Sequence, residues 1–364
     1  MTVSATLIVR NEETTLPCCL ASIRDVVDQI VVVDTGSQDN TRDVARRYGA
    51  EVHEYAWRQD FAGARQFAFD QARSDWVFWL DADDELHDAD GLRATIAAAA
   101  PSVDGFYWKY IASRDAHGNS ACELWRERCV RNDGRFRWQG RVHEVLVGNP
   151  GTVLTRDDRI RVIHRSPRVR SHRDPRRNLD ILESEYAFAR TNPAPRLLLY
   201  LGNEYADHGE NDLALDFLRR YIRVASWDDE KYLVQVRIAA LLRQMGRYDA
   251  AIDAALAALK THPDWPQAWF SLGETYYFLH DWPKVVHWIE CGRRLPVPDS
   301  LCVINPLEWR YNWLIHYCNA LFHVGRLDEA LQWSKHALTI SPDDPWHLEN
   351  TRLFERLRIP QRSL

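Results

Sequence analysis

Three short apolar runs early in the chain each end in acidic or polar residues, and this arrangement limits the fold more than any other feature. Residues 5–9 run into Arg10-Asn11-Glu12-Glu13, residues 29–33 into Asp34-Thr35-Gly36-Ser37, and residues 75–80 into Asp81-Ala82-Asp83-Asp84. Helical patterns cover residues 15–24 and 40–48, the second with Ser37 or Asp39 near its N-cap. Strand alternating with helix predicts a parallel sheet covered by helices. Open sheets of that kind bind ligands in the crevice at the carboxyl ends of their strands, where all three polar turns fall. No GxGxxG follows any of the runs, which disfavours a dinucleotide-binding fold.

Beyond residue 191 the β-branched runs vanish and helical pairs recur. Trp269-Phe270-Ser271-Leu272-Gly273-Glu274-Thr275-Tyr276 has the W-x2-L-G-x2-Y opening of a tetratricopeptide repeat, and Leu201-Gly202 with Tyr205 is a partial copy. Gly209, Gly246 and Gly325 each stand five residues before a small residue, Ala214, Ala251 and Ala330. Ala214 to Ala251 is 37 residues and Ala251 to Val285 is 34, against an expected period of about 34. The step from Val285 to Ala330 is 45, and a proline-broken insertion at residues 295–300 accounts for the excess. Many of the 15 tryptophans are then explained as repeat core.

A chain of 364 residues is comfortable as two domains. We expect an α/β domain over residues 1–165, a basic linker and connecting helix over 166–192, and an all-α tetratricopeptide-repeat solenoid over 193–364. Residues 156–177 hold nine Arg against three Asp and read either as a solvated basic linker or as a clamp for phosphate. A helix over 176–190 follows, with Pro193 and Pro195 at the start of the repeats. The net charge of −6 provides no global attraction to nucleic acid or anionic lipid. Seven cysteines without a CxxC pair favour neither a disulfide framework nor a zinc site, so a reducing cytoplasm is expected. No stretch approaches the roughly 20 apolar residues of a membrane span, and the first run is too short for a signal-peptide core. A soluble, unprocessed protein is expected.

Asp81 and Asp83 leave a buried strand side by side, and like charges so close are costly without a counter-cation. A hard divalent ion, Mg²⁺ or Mn²⁺, is the economical resolution. The acidic pair has ordered company: Val9-Arg10-Asn11-Glu12-Glu13, then residues 31–41 with Asp34, then Asp60-Phe61-Ala62-Gly63-Ala64-Arg65, then Leu80-Asp81-Ala82-Asp83-Asp84-Glu85-Leu86. This ensemble resembles the family 2 glycosyltransferases of GT-A fold, closely over about residues 4–90 and more loosely to about 180. The resemblance implies a GT-A (Rossmann-like) N-terminal domain, a nucleoside diphosphate sugar donor, usually a UDP-sugar, and Mn²⁺ or Mg²⁺. It implies that the Val9 backbone and Glu12, or Glu13 in its place, line the nucleoside. Asp34 would hydrogen-bond the base, Arg65 sit near base or phosphate, Asp81 face ribose or metal, and Asp83 bind the metal.

Direct displacement of the diphosphate inverts the anomeric carbon and needs a base for the acceptor hydroxyl or thiol. Gly140-Arg141-Val142-His143-Glu144, after Arg131-Asn132, resembles the RNxxxxxxxGxVHE segment of a repeat-bearing branch of the same family. Glu144 is the first choice for the base and His143 for a further metal or diphosphate ligand, with the roles exchangeable; the pair reads as part of a strand. Ile163-His164 and Arg177-Asn178-Leu179 resemble the same branch, which makes Arg165, Arg168 and Arg173 candidate leaving-group stabilisers. Arg165 replaces the usual second histidine after Ile163-His164, which counts against a metal role there.

The leading expectation is a metal-dependent inverting glycosyltransferase whose repeats recognise a protein or peptide acceptor. A second reading makes the acceptor a hydroxylated base in DNA. A third is a non-enzymatic scaffold with a sugar-nucleotide-binding module. Trp309 and Trp313, beside the insertion, suit a homodimer contact through the repeats.

Overall fold

The computed structural model describes residues 1–165, 175–189 and 191–358. It divides into two compact units, Met1–Ser113 with Cys122–Phe188, and Arg114–Ala121 with Ala189–Leu364.

The first unit runs β1 (Val3–Val9), α1 (Leu16–Ile23), β2 (Gln29–Asp34), α2 (Thr41–Arg47), β3 (Glu51–Glu54), α3 (Phe61–Asp70), β4 (Trp76–Asp81), β5 (Asp84–His87) and α4 (Leu92–Ala98). It continues with β6 (Gly105–Arg114), β7 (Ser120–Arg131), β8 (Phe136–Gln139), β9 (Val145–Gly148), β10 (Leu154–His164) and α5 (Arg177–Ala189). Eight strands form one mixed sheet in the order β3-β2-β1-β4-β7-β6-β10-β5, and β8 pairs with β9 apart from it. The β3-β2-β1-β4 half is parallel, as the alternation of strand and helix predicts.

Period-two alternation lets β4 bury both faces. Trp76, Phe78 and Leu80 join Val3, Ala5 and Leu7 of β1 and Leu16, Leu20 and Ile23 of α1 in the larger core. Val77 and Trp79 point the other way, against Phe69 and Trp138. The acidic turn after β4 therefore leaves a strand that is held on both sides.

Beyond β4 the sheet departs from the parallel pattern: β7 joins β4 antiparallel, β6 follows, and β10 pairs parallel with β6 and antiparallel with β5. Their polar composition hides these strands, because charges that read as solvated are paired across or along the sheet. Lys109 meets Glu123 at 2.7 Å, Arg159 meets Asp157 at 2.9 Å and Arg161 meets Asp88 at 2.7 Å. Residues 156–164, the first part of the arginine-rich stretch, belong to β10.

The second unit contains α6 (Pro195–Asp207), α7 (Asn211–Val224), α8 (Asp228–Gln244), α9 (Tyr248–Thr261), α10 (Gln267–Phe278), α11 (Trp282–Gly292), α12 (Pro306–Arg310), α13 (Leu314–His323), α14 (Leu327–Ile340) and α15 (Pro345–Arg358). Helices pack in consecutive pairs, and the small residues of the repeat pattern sit where paired helices touch. Ala214, Ala251, Val285 and Ala330 have no exposed surface. A Cβ on Gly202 would lie 2.6 Å from Leu218 Cδ2, and one on Gly273 2.6 Å from Ile289 Cγ1. The insertion before α12 is anchored where the Ser300 hydroxyl donates to Asp229 Oδ2 at 2.7 Å. Among the described residues no helix is long and apolar enough to cross a membrane.

Candidate active site

The end of β4 and the start of β5 place Asp81, Asp83 and Asp84 within one turn. Antiparallel pairing of β5 with β10 sets His164 directly opposite Asp84. His164 Nδ1 consequently lies 3.4 Å from Asp84 Oδ1 and 3.5 Å from Asp83 Oδ1. Among the described residues, Asp83, Asp84 and His164 form a group whose ligand atoms all lie within 4.8 Å of one another. Both carboxylates are buried, Asp84 completely. Burial, reinforced by Asp81 and Asp84 against the opposing pull of His164, raises the Asp83 carboxyl to about 6. The bond to Asp84 raises the His164 imidazole above its ordinary value, burial opposes, and Asp83 adds to the rise. Crowded carboxylate oxygens with one imidazole nitrogen fit Mn²⁺ or Mg²⁺.

Asp81 and His143, the other expected metal ligands, stand outside this group. Asp81 faces Arg65, whose Nη2 donates to Asp81 Oδ1 and whose Nε donates to Glu144 Oε1, each at 2.5 Å. Burial would push Asp81 up, but Arg65, then Arg128 and Arg126, hold it below the usual carboxylate range. Arg65 is itself buried over the Trp79 ring, 4.4 Å from its centroid, and 5.2 Å from that of Trp138. The sequence around it is built for this aim. Asp60 caps α3 by accepting from the Gly63 amide at 2.9 Å, and a Cβ at position 63 would lie 2.9 Å from Asp60 Oδ2 and the Tyr55 hydroxyl.

Glu144 reaches Arg65 because the Phe61 amide, at the start of α3, donates to the Arg141 carbonyl at 2.8 Å. His143 and Glu144 lie on the turn before β9, which corrects the strand reading. Gly140 at φ +90° and His143 at φ +52° make the turn, and a left-handed residue interrupts the alternation a strand would impose. Glu144 is therefore buried while His143 is half-buried.

The remaining candidates lie at the ends of β1 and β2 and beside β5. The Val9 carbonyl accepts from the Thr35 amide at 2.9 Å. Glu12 Oε2 accepts from the Thr15 hydroxyl at 2.5 Å, and the Glu12 amide donates to Thr41 Oγ1 at 2.7 Å. Asp34 Oδ1 accepts from the amides of Gly36 and Ser37 at 3.0 and 2.9 Å, and its buried Oδ2 has no hydrogen-bond partner among the described residues. The Arg165 amide donates to the Asp83 carbonyl at 2.7 Å, and its guanidinium pairs with Glu85 at 2.6 Å. Arg168 and Arg173 lie outside the described residues.

Sequence reasoning passed over Asp84 and set His164 aside. No spacing signals their meeting, because they are 80 residues apart and joined only through the β5–β10 register. The Ile163-His164 dipeptide was the available hint.

Residues 4–120 match the family model Glycosyl transferase family 2, and residues 233–275 match a tetratricopeptide repeat. The N-terminal part of the chain is a family 2 glycosyltransferase domain. A TPR repeat-containing protein of Synechococcus elongatus is 28% identical over 287 residues, 75% of this chain and 70% of that protein. The SPbeta prophage-derived glycosyltransferase SunS of Bacillus subtilis is 26% identical over 259 residues, 68% of this chain and 60% of SunS. An uncharacterized glycosyltransferase of Rickettsia conorii is 36% identical over 84 residues, 23% of this chain and 29% of that protein. The match to SunS thus spans about three fifths of SunS's length.

Proposed function

We propose that the chain transfers a sugar from a nucleoside diphosphate sugar, a UDP-sugar first, to an acceptor, with inversion at the anomeric carbon. The observation that carries this reading is the Asp83–Asp84–His164 group standing beside the Arg65-bridged pair of Asp81 and Glu144 in a family 2 domain. Asp83, Asp84 and His164 would hold Mn²⁺ or Mg²⁺, and a bound divalent cation supplies neutralisation of the diphosphate charge.

The chain's own groups supply the rest. The spare Oδ2 of Asp34 accepts a hydrogen bond from the nucleoside base, with the Val9–Glu12 turn lining that side. Asp81, oriented by Arg65, faces the ribose. Glu144 takes the proton of the acceptor as its oxygen or sulfur bonds the anomeric carbon and the bond to the diphosphate breaks. His143, on the same turn, and Arg165 stabilise the departing diphosphate. The repeats recognise the acceptor, a protein or peptide segment, as tandem helical pairs are suited to do. The seven cysteines include no CxxC pair, which supports a reducing compartment.

A thermal-shift screen of nucleoside diphosphate sugars with and without Mn²⁺ tests the proposal. The true donor should raise the melting temperature only with the cation, reflecting about 2.7 kcal/mol of added stability at a hundredfold excess over its dissociation constant. Stabilisation by no sugar nucleotide under either condition contradicts it.

A further inference from the structure

Arg128 on β7 has no exposed surface, and no step above uses it. Its guanidinium lies 3.7 Å from the centroid of the Trp79 ring and 4.5 Å from that of Tyr110. Nη1 is 3.2 Å from both the Trp79 carbonyl and Asp84 Oδ2, while Nε and Nη2 have no hydrogen-bond partner among the described residues. A buried cation that leaves two donors unsatisfied is costly, so hydrogen-bond satisfaction does not explain its position. The aromatic rings and Asp84 do.

Asp84 is equally enclosed, and its two oxygens have different surroundings. Oδ2 takes Arg128 and the Asp81 amide, each at 3.2 Å, while Oδ1 looks toward His164. A carboxylate free to rotate would exchange these faces; the contact with Arg128 prevents it. Trp79 ties this to the neighbouring pair, since the same ring carries Arg65, which holds Asp81. One indole thus supports the two arginines that orient Asp81 and Asp84, two carboxylates of the same turn.

We infer that Arg128 is a positioning residue for the cation site, holding Asp84 with one oxygen turned toward His164 and Asp83 so that the three side chains are arranged before a divalent ion arrives. The inference rests on reading that cluster as a cation site. Partners of this kind typically change metal affinity by about 10- to 100-fold when altered.

The test is Mn²⁺ alone, titrated into the full chain and followed by the electron paramagnetic resonance of the free ion, so that it does not depend on turnover. Wild type, Arg128→Lys, Asp84→Asn and the double variant complete a thermodynamic cycle, with near-ultraviolet circular dichroism reporting the packing of Trp79. Lysine keeps the charge but not the planar stack, and Arg128→Lys should weaken Mn²⁺ binding by about 10-fold. On the Asp84→Asn background the same change should cost less than about twofold, because the group through which it acts has lost its charge. Arg128→Gln is read identically if the lysine variant does not fold. Binding within twofold of wild type, or an equal loss on both backgrounds, overturns the positioning role while leaving the cation site standing. Wild type that binds no Mn²⁺ more tightly than Asp83→Asn overturns the cation reading itself, and this inference with it.

Discussion

At Asp83, stability and the proposed cation binding pull in opposite directions. Burial and the neighbouring carboxylates raise its pKa to about 6, so the folded state holds this proton more tightly than the unfolded chain, whose ordinary value is 3.8. Stability from this group is then greatest at low pH, falls as pH rises through that window, and is level above it. Asp83→Asn, which cannot ionise, should be more stable than wild type by about 1–3 kcal/mol above pH 6 without cation. Urea denaturation with a chelator should show that difference opening between pH 4 and 6, and the variant should lose Mn²⁺-dependent stabilisation. Glu144→Gln separates two uses of one carboxylate. Acting as base, it should lower kcat by about 10²-fold or more with the donor KM unchanged, whereas a group that only holds Arg65 would lose donor affinity. Asp34, Arg65, Asp81 and Asp83 were legible as candidates because ordered motifs mark them. His164 could not, because its partners arrive through a strand pairing that leaves no local pattern.

At the scale of elements, apolar strands were readable and polar ones were not. Residues 5–9, 29–33 and 75–80 fall on β1, β2 and β4, where burial on both faces enforces a continuous apolar run. β7 and β10 carry their charges in pairs on the sheet, so composition alone makes them resemble loops. The helical repeats were readable because small residues must recur where paired helices touch. Gly273→Ala would drive a methyl into Ile289 and should destabilise the solenoid by about 1–3 kcal/mol in urea denaturation. The insertion was visible only as excess length. Its helix α12 brings Glu308 into a half-buried position where burial, and then the charge of Glu274, raises its pKa to about 7. The stability of the helical unit should accordingly fall as pH rises from about 4.5 to 7, and Glu308→Gln should remove about 1–2 kcal/mol of that loss. A pH series of melting curves that leaves wild type and variant parallel would contradict this.

At the scale of the whole molecule, the change of periodicity near residue 191 marked two kinds of architecture, and each has its own core. The sequence left unread the strand order that returns β10 to β5, because pairing between distant segments is a property of the sheet and not of either segment. With a net charge of −6, the proposed anionic donor would be attracted by local cations and by the proposed metal, not by the field of the protein as a whole. The most direct measurement is anomalous diffraction at the manganese edge from crystals of the full chain grown with UDP and Mn²⁺. A peak within about 2.0–2.4 Å of an oxygen of Asp83 or Asp84 and of a ring nitrogen of His164, with the diphosphate against it, is the expected result. A manganese peak elsewhere, with UDP bound away from the end of β4, would contradict it.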